Sequence, residues 1–272
     1  MSSYLITGVS RGLGFEFLRQ LSEDPKNTVV GLVRNKKATD EKVQRELSSR
    51  TNIHIIQADI VDYDALKVAS VAETSKITGG SLDCIIANAG LVSAWSAYDP
   101  PSVLGKEPKR LEEDLLECFN INVVGNIHLF NLYMPLVLKG RAKKVITIST
   151  GMADLDLITN FSIAIAAPYS ISKGAVNVAV AKFDAEYRKD GVLFMSISPG
   201  VVDTGHYDNA TEEQAKKAAE MGAQFQAYAP NFKGPISPKE SATAILSVMN
   251  KSSIENGDGG AFVSHLGNKQ WL

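Results

Sequence analysis

Short apolar segments alternate with helical segments along the whole 272-residue chain. The predicted strands are 4–7, 28–33, 53–57, 82–87, 145–148, 193–197 and 261–264, and the predicted helical stretches are 15–21, 36–50 (helix and loop), 63–77, 111–138, 169–189, 211–228 and 239–249. The strands are rich in isoleucine and valine, which is typical of strands buried on both faces of a parallel sheet. The pattern predicts a doubly wound α/β fold, with a parallel sheet of about seven strands and helices on both faces. No linker divides the chain, so residues 1–272 are expected to form a single domain.

Composition and charge argue against several classes of protein. The net charge of −2 provides no strong field to attract nucleic acid or an anionic membrane. The chain has neither an N-terminal signal sequence nor a run of about 18 apolar residues, so no membrane span is expected. The two cysteines, Cys84 and Cys118, suit a reducing compartment, and the four histidines lack metal-ligand spacing. The sequence therefore predicts a cytoplasmic protein with no metal site.

A glycine-rich turn joins the first predicted strand to the first helix, in the run Thr-Gly-Val-Ser-Arg-Gly-Leu-Gly. Gly8 permits a tight turn, Gly12 permits close approach of a pyrophosphate, and Gly14 permits packing of the helix on the strand. The amino end of the helix also presents free N–H groups to phosphate. The turn predicts a Rossmann-type dinucleotide-binding domain, with cofactor contacts from Gly8, Ser10, Arg11, Gly12, Leu13 and Gly14.

A second motif, Tyr-x-x-x-Lys, is formed by Tyr169 and Lys173. If Pro168 opens a helix, the two side chains lie one turn apart on the same face. An ammonium beside a phenol favours phenolate and lowers the tyrosine pKa, which makes the tyrosine a candidate proton donor. Alternatively, the two are an ordinary surface tyrosine and a solvated lysine.

These motifs, taken in order along the chain, carry a family resemblance. The glycine turn is followed by Asp59, by Asn88-Ala89-Gly90, by Asn122 in Asn-Val-Val-Gly, by Ser149-Thr150, by Tyr169 with Lys173, and by Pro199-Gly200 with Thr204. From residue 4 to about residue 204, the chain resembles the short-chain dehydrogenase/reductase family. Within that family it is similar to carbonyl reductases and to polyketide ketoreductases of secondary metabolism, including fungal ones.

The resemblance implies a catalytic set. Tyr169 would give the proton, Lys173 would lower its pKa and bind the nicotinamide ribose, and Asn122 would hold Lys173 through a water. The second hydroxyl would come from Thr150 or from Ser149, with Thr150 preferred from its place after the fifth strand. The loop from Thr150 to Tyr169 is longer than is usual in the family.

The cofactor expected is NADP(H). Arg34 stands at the end of the second strand, where an acidic residue would bind the ribose hydroxyls of NAD, and Arg11 lies in the glycine turn. Paired hydrogen bonds from guanidinium suit a 2′-phosphate, and this interpretation is preferred to the alternative that both arginines are solvated surface residues. The resemblance implies further contacts: adenine with Asp59 and Ile60, ribose with Asn88, Ala89 and Gly90, and nicotinamide with Tyr169, Lys173, Pro199, Gly200, Val202 and Thr204. Ala87 departs from the family's Asn-Asn-Ala-Gly.

Three segments, 91–110, 154–166 and 205–236, are expected to shape the substrate site. The third holds Tyr207, Met221, Phe225, Tyr228 and Phe232, which could form a mobile lid over an apolar or aromatic substrate or an amphipathic helix packed on the domain. Trp95 could face the same cleft.

The function predicted is hydride transfer between NADP(H) and a ketone or secondary alcohol. The alternatives are an NADP(H)-binding sensor or partner module without turnover, and a nucleotide-sugar epimerase, whose glycine turn is usually spaced differently. The expected partner is a small carbonyl or alcohol substrate, with no nucleic acid and no membrane. The family resemblance also implies a homodimer or homotetramer that assembles through helices 111–138 and 169–189.

Overall fold

The computed structural model describes residues 2–205 and 211–272. Seven parallel strands form one sheet in the order β3-β2-β1-β4-β5-β6-β7. The strands are β1 Ser3–Thr7, β2 Thr28–Val33, β3 Ile53–Gln57, β4 Cys84–Ala87, β5 Lys144–Ile148, β6 Leu193–Ser198 and β7 Phe262–Ser264. The order reverses between β1 and β4, so a crevice opens there at the carboxyl edge of the sheet, which is where ligands bind in folds of this kind. The predicted Rossmann-type fold is confirmed.

Helices connect successive strands. They are α1 Gly12–Leu21, α2 Lys36–Glu46, α3 Val71–Thr78, α4 Pro101–Leu104, α5 Pro108–Phe119, α6 Gly125–Val137, α7 Leu155–Phe161, α8 Ala167–Tyr187, α9 Glu212–Tyr228 and α10 Pro238–Lys251. Pro168 occupies the first turn of α8, as the sequence predicts. Within residues 2–205 and 211–272, no helix combines the length and apolar character that crossing a membrane requires.

Two apolar clusters cover the two faces of the sheet. Leu5 and Ile6, which are neighbours in β1, belong to opposite clusters because successive strand residues point to opposite faces. One cluster includes side chains of α1 and α10, and the other includes side chains of α6 and α8. Burying each aliphatic side chain contributes about 1.5–3 kcal/mol, and this explains why the strand sequences are mostly apolar.

The helical stretch predicted at 111–138 differs from the structure in one functional respect. It begins earlier, at Pro108, and the wider π-helical segment Asn120–Val124 separates α5 from α6. A π segment inserts one extra residue into a turn and is frequent at functional sites. A second π segment, Ala65–Ser70, opens the stretch predicted at 63–77. The short helices α4 and α7 were not predicted, because segments of one or two turns show no clear periodicity.

Candidate active site

The glycine turn follows β1 and packs against Asn88, the residue that follows β4. A Cβ atom at Gly14 would overlap the carbonyl oxygen of Gly8 and lie 2.5 Å from the side-chain nitrogen of Asn88. That nitrogen donates hydrogen bonds to the carbonyl oxygens of Thr7, at 3.0 Å, and of Gly8, at 3.3 Å. Gly8 has a φ of +74° and Gly12 a φ of +56°, so both occupy the left-handed region that glycine tolerates. Close packing therefore requires glycine at position 14, and the backbone conformation favours glycine at positions 8 and 12.

A cleft of about 470 Å³ lies along this turn. It is lined by most of the predicted cofactor residues: Gly8, Ser10, Arg11, Gly12, Leu13, Gly14, Arg34, Asp59, Ile60, Asn88, Ala89, Gly90 and Thr204. The structure adds eight residues that the sequence analysis missed: Leu32, Val33, Asn35, Ala58, Val61, Leu91, Glu117 and Ile121. Pro199, Gly200 and Val202 follow β6 and are not among these lining residues. The size and the glycine cradle of the cleft fit an extended dinucleotide.

Three cations gather at one end of this cleft. Arg11 and Arg34 line it, and the Lys42 ammonium on α2 lies 3.5 Å from the carbonyl oxygen of Ser10 and 4.1 Å from the centre of the Phe15 ring. Within the described part of the chain, none of the three forms an ion pair. Sequence reasoning missed Lys42 because it is one of several charged residues on a polar helix. This end of the cleft is suited to an anionic group.

The other end of the cleft approaches a buried lysine. Lys173 is 3% exposed, and its ammonium donates a hydrogen bond of 2.7 Å to the carbonyl oxygen of Ile148. Burial lowers the pKa of Lys173 from its ordinary 10.5 to about 8. The ammonium lies 5.9 Å from the centre of the Tyr169 ring. It also lies close to Gly90, since a Cβ atom added at that glycine would be 3.2 Å from the ammonium nitrogen. Lys173 is therefore a core residue rather than a solvated lysine on a helix surface.

Asn122 joins the π segment to the loop after β4. Its side chain accepts a hydrogen bond from the Leu91 amide at 2.8 Å and donates to the Leu91 carbonyl at 3.0 Å. It also donates to the Ser172 hydroxyl at 2.8 Å, and that hydroxyl donates to the Tyr169 carbonyl at 2.7 Å. This network fixes the start of α8, and with it the backbone that carries Tyr169 and Lys173.

The two candidate hydroxyls after β5 differ in accessibility. Ser149 is 1% exposed, and its hydroxyl has no hydrogen-bond partner among the described residues. Thr150 is half-buried and accepts a 3.3 Å hydrogen bond from the Met152 amide, which caps the short 3₁₀ helix Gly151–Ala153. Thr150 is therefore the hydroxyl that a ligand can reach more readily.

The three segments expected to shape the substrate site surround a second cavity, of about 390 Å³. Its lining residues are Tyr98, Asp99, Pro100, Val103, Ser162, Ala164, Ile165, Glu213, Lys217, Glu220, Met221 and Gln224. An ion pair of 2.7 Å between Lys217 and Asp99 joins α9 to the loop after β4. Trp95 is not among the lining residues, and its ring instead lies 4.8 Å from the guanidinium of Arg110.

Helix α9 packs on the domain through its apolar face. Phe225 is buried in a cluster with Leu157 of α7 and with Trp271, and Met221, Tyr228 and Phe232 border the same cluster. The arrangement fits the packed amphipathic helix, and Met221 also reaches the second cavity. Tyr207, which was expected to belong to the same segment, lies outside the described residues.

Fold and site together define a dinucleotide-binding α/β protein, and sequence comparison is more specific. A family model described as short chain dehydrogenase matches residues 3–215. The short chain dehydrogenase virK of Hypocrea virens is 60% identical over 272 residues, and the short-chain dehydrogenase/reductase iacC of Pestalotiopsis fici is 50% identical over 273 residues; both matches cover 100% of each chain. The chain belongs to the short-chain dehydrogenase/reductase family and is an oxidoreductase of the kind that uses nicotinamide cofactors.

Solved structures agree in fold. The carbonyl reductase Sniffer of D. melanogaster superposes with a TM-score of 0.76 at 22% identity, covering 98% of each chain. An NADPH-bound carbonyl reductase from chicken fatty liver superposes with a TM-score of 0.77 at 21% identity, again covering 98% of each chain. The predicted membership in the short-chain dehydrogenase/reductase family and the likeness to fungal members are confirmed, and solved carbonyl reductases share the fold. The narrower similarity to polyketide ketoreductases stays a prediction.

Proposed function

We propose that the protein transfers a hydride between NADP(H) and a ketone or secondary alcohol, with Tyr169 as the proton donor and acceptor. The observation that carries the proposal is the burial of Lys173, one helical turn from Tyr169, where the dinucleotide cleft ends at Gly90. A binding module has no evident need to keep an ammonium in its core, because burial disfavours its charge. A reductase does, since negative charge develops on the substrate oxygen.

The cleft residues would hold the dinucleotide along its length. The glycine turn and the amino end of α1 are suited to its pyrophosphate, Asp59 and Ile60 to adenine, and Asn88–Gly90 to a ribose. Pro199, Gly200, Val202 and Thr204 are assigned to the nicotinamide end. When bound, the reduced nicotinamide supplies the hydride.

The choice of NADP(H) over NAD(H) rests on charge. Arg11, Arg34 and Lys42 lie at one end of the cleft, and none of the three forms an ion pair with another described residue. Lys42 also interacts electrostatically with Glu46. Two guanidiniums and an ammonium suit a 2′-phosphate, which NAD lacks. The chicken carbonyl reductase with a similar fold is NADPH-bound, which agrees with this choice.

Each proposed catalytic residue has a separate role in the proton transfer. Tyr169 gives its phenolic proton to the carbonyl oxygen in the reductive direction and takes it back in the oxidative direction. The Lys173 ammonium stabilises the resulting phenolate and binds the nicotinamide ribose. Thr150 donates a second hydrogen bond to the substrate oxygen, and Ser149 is too buried to do so. Asn122 keeps the backbone of α8 in position.

The second cavity is assigned to the substrate body. Tyr98, Val103, Ile165 and Met221 give it an apolar wall, while Lys217 and its acidic neighbours stand at its polar side. This combination favours an apolar or aromatic ketone with a polar substituent. We further propose that the protein acts in the cytoplasm as a homodimer or homotetramer.

The test is cofactor oxidation with a panel of aromatic ketones and quinones, using NADPH and NADH in parallel. We expect NADPH-selective turnover that Tyr169→Phe abolishes and that the exposed control Tyr63→Phe retains. Tight NADPH binding without turnover on any ketone would favour the sensor alternative. A preference for NADH would contradict the assignment of the three cations.

A further inference from the structure

The side chain of Trp271 is buried beside the candidate catalytic turn. Although it comes after the last strand, Trp271 is only 3% exposed, and its ring stacks on Phe262 at 4.4 Å between ring centres. A Cβ atom at Gly151 would lie 2.7 Å from the Trp271 Cβ and 2.9 Å from its Cγ. The tryptophan therefore packs directly against the residue that follows Thr150, and only glycine fits at that position.

The peptide after Thr150 is held from two sides. On one side, the Gly151 amide donates a buried hydrogen bond of 2.9 Å to the Ser198 hydroxyl. On the other side lies Trp271. Thr150 bonds this turn through its side chain and its backbone, since its hydroxyl accepts from the Met152 amide at 3.3 Å and its carbonyl accepts from the Ala153 amide at 3.0 Å. The position of the hydroxyl therefore depends on the position of this turn. Removing the ring would leave a void next to Gly151, into which the turn can relax.

The same tryptophan is tied to helix α9. Its backbone amide donates a hydrogen bond of 3.0 Å to the Tyr228 hydroxyl, and that hydroxyl donates to the Lys269 carbonyl at 3.1 Å. Phe225 of α9 belongs to the same apolar cluster. Contacts therefore run from α9, which forms one wall of the second cavity, through Tyr228 and Trp271 to the turn that carries Thr150.

We propose that Trp271 is a positioning residue, which sets the Thr150 hydroxyl and couples it to helix α9. The catalytic part of this inference rests on the proposed function, whereas the structural part does not. No sequence pattern points to this role, because the tryptophan belongs to no motif and contacts Gly151 only in the folded chain.

The first test is hydrogen–deuterium exchange on the full-length Trp271→Ala protein. We expect the amides of Gly151–Ala153 to exchange about tenfold faster or more, while those of the glycine turn at 8–14 keep their protection. Trp271→Phe, which keeps a ring in the stack, should show a smaller change and serves as the test if the alanine variant does not fold. Leu266→Ala, at a half-exposed position after the same strand, is the control. Unchanged exchange at Gly151–Ala153 in the folded variants would overturn the inference.

The second test is a double-mutant cycle with Thr150→Ala. Trp271→Ala should lower kcat for a ketone by about tenfold, since a small misplacement of a reacting group is costly, and should leave the NADPH Kd within about twofold. In the Thr150→Ala background the same substitution should lower kcat less than about twofold. Equal losses in both backgrounds would show that Trp271 does not act through Thr150. If the wild type reduces no ketone, the proposed function fails, and hydrogen exchange alone decides the inference.

Discussion

Replacing Lys173 with methionine should stabilise the fold while it removes activity. Burial lowers the pKa of Lys173 from 10.5 to about 8, and a difference of about 2.5 in pKa corresponds to ~3 kcal/mol of unfavourable burial of the charged form. Methionine, of similar length, removes this cost but leaves the Ile148 carbonyl without its 2.7 Å donor, at about 1–2 kcal/mol. The net expectation is a gain of about 1–2 kcal/mol in the free energy of unfolding near neutral pH.

The pH dependence separates this explanation from ordinary packing. Below about pH 8, lysine is charged in both the folded and the unfolded chain, so the burial cost is fully present. Between about pH 8 and 10.5, the folded protein loses this proton while the unfolded chain keeps it, and the stability of the wild type rises. The advantage of Lys173→Met should therefore shrink by up to ~3 kcal/mol across that range.

Urea unfolding of the cofactor-free proteins at about pH 7 and about pH 10 measures both quantities. Lys182→Met, on the exposed face of the same helix, is the control and should show no such change with pH. A Lys173→Met protein that is less stable than the wild type at both pH values, by the same amount, would refute the reasoning. That result would mean that burial of the charged Lys173 side chain does not lower the free energy of unfolding.

Three further predictions test other parts of the site. Gly14→Ala should abolish dinucleotide binding, because the added Cβ would overlap the Gly8 carbonyl oxygen. The control Gly222→Ala lies in a helix with open space around it and should stabilise the fold by up to about 1 kcal/mol. Fluorescence titration with NADPH and thermal unfolding measure the two effects. Lys42→Met should weaken NADPH binding about tenfold and leave NADH binding unchanged, because only NADPH carries the 2′-phosphate. An equal loss of affinity for both cofactors in the same titration would contradict the 2′-phosphate assignment. Asn122→Ala removes three hydrogen bonds of a fully buried residue and should lower the free energy of unfolding by about 2–4 kcal/mol, measured by urea unfolding. A loss below about 1 kcal/mol would show that the network is not structural.

The sheet and its cleft were predictable because their determinants are local. Each strand is a mostly apolar run, and β1 and β4 lead directly into Gly8 and Asn88, residues that mark the cofactor loop. Because the carboxyl ends of parallel strands share one edge, residues from several loops could be assigned to one cleft without coordinates.

The rest depends on packing between distant parts of the chain. The π segment around Asn122 leaves the apolar pattern of the surrounding helix almost unchanged, so the sequence predicts a regular α-helix there. Lys42 looks like any other charge on α2 until the fold brings it to Ser10. Ser149 is buried and Thr150 is half-buried because of the direction in which the chain leaves β5. That direction could not be predicted from the sequence.

The most direct test of the central claim is transfer of the hydride itself. NADPH carrying deuterium at the transferred position of the nicotinamide C4 would be incubated with a ketone that the enzyme reduces, and the product alcohol would be analysed by mass spectrometry. The wild type should place one deuterium on the carbinol carbon, and Tyr169→Phe should yield no labelled alcohol. Oxidation of NADPH without deuterium in any product alcohol would contradict this claim.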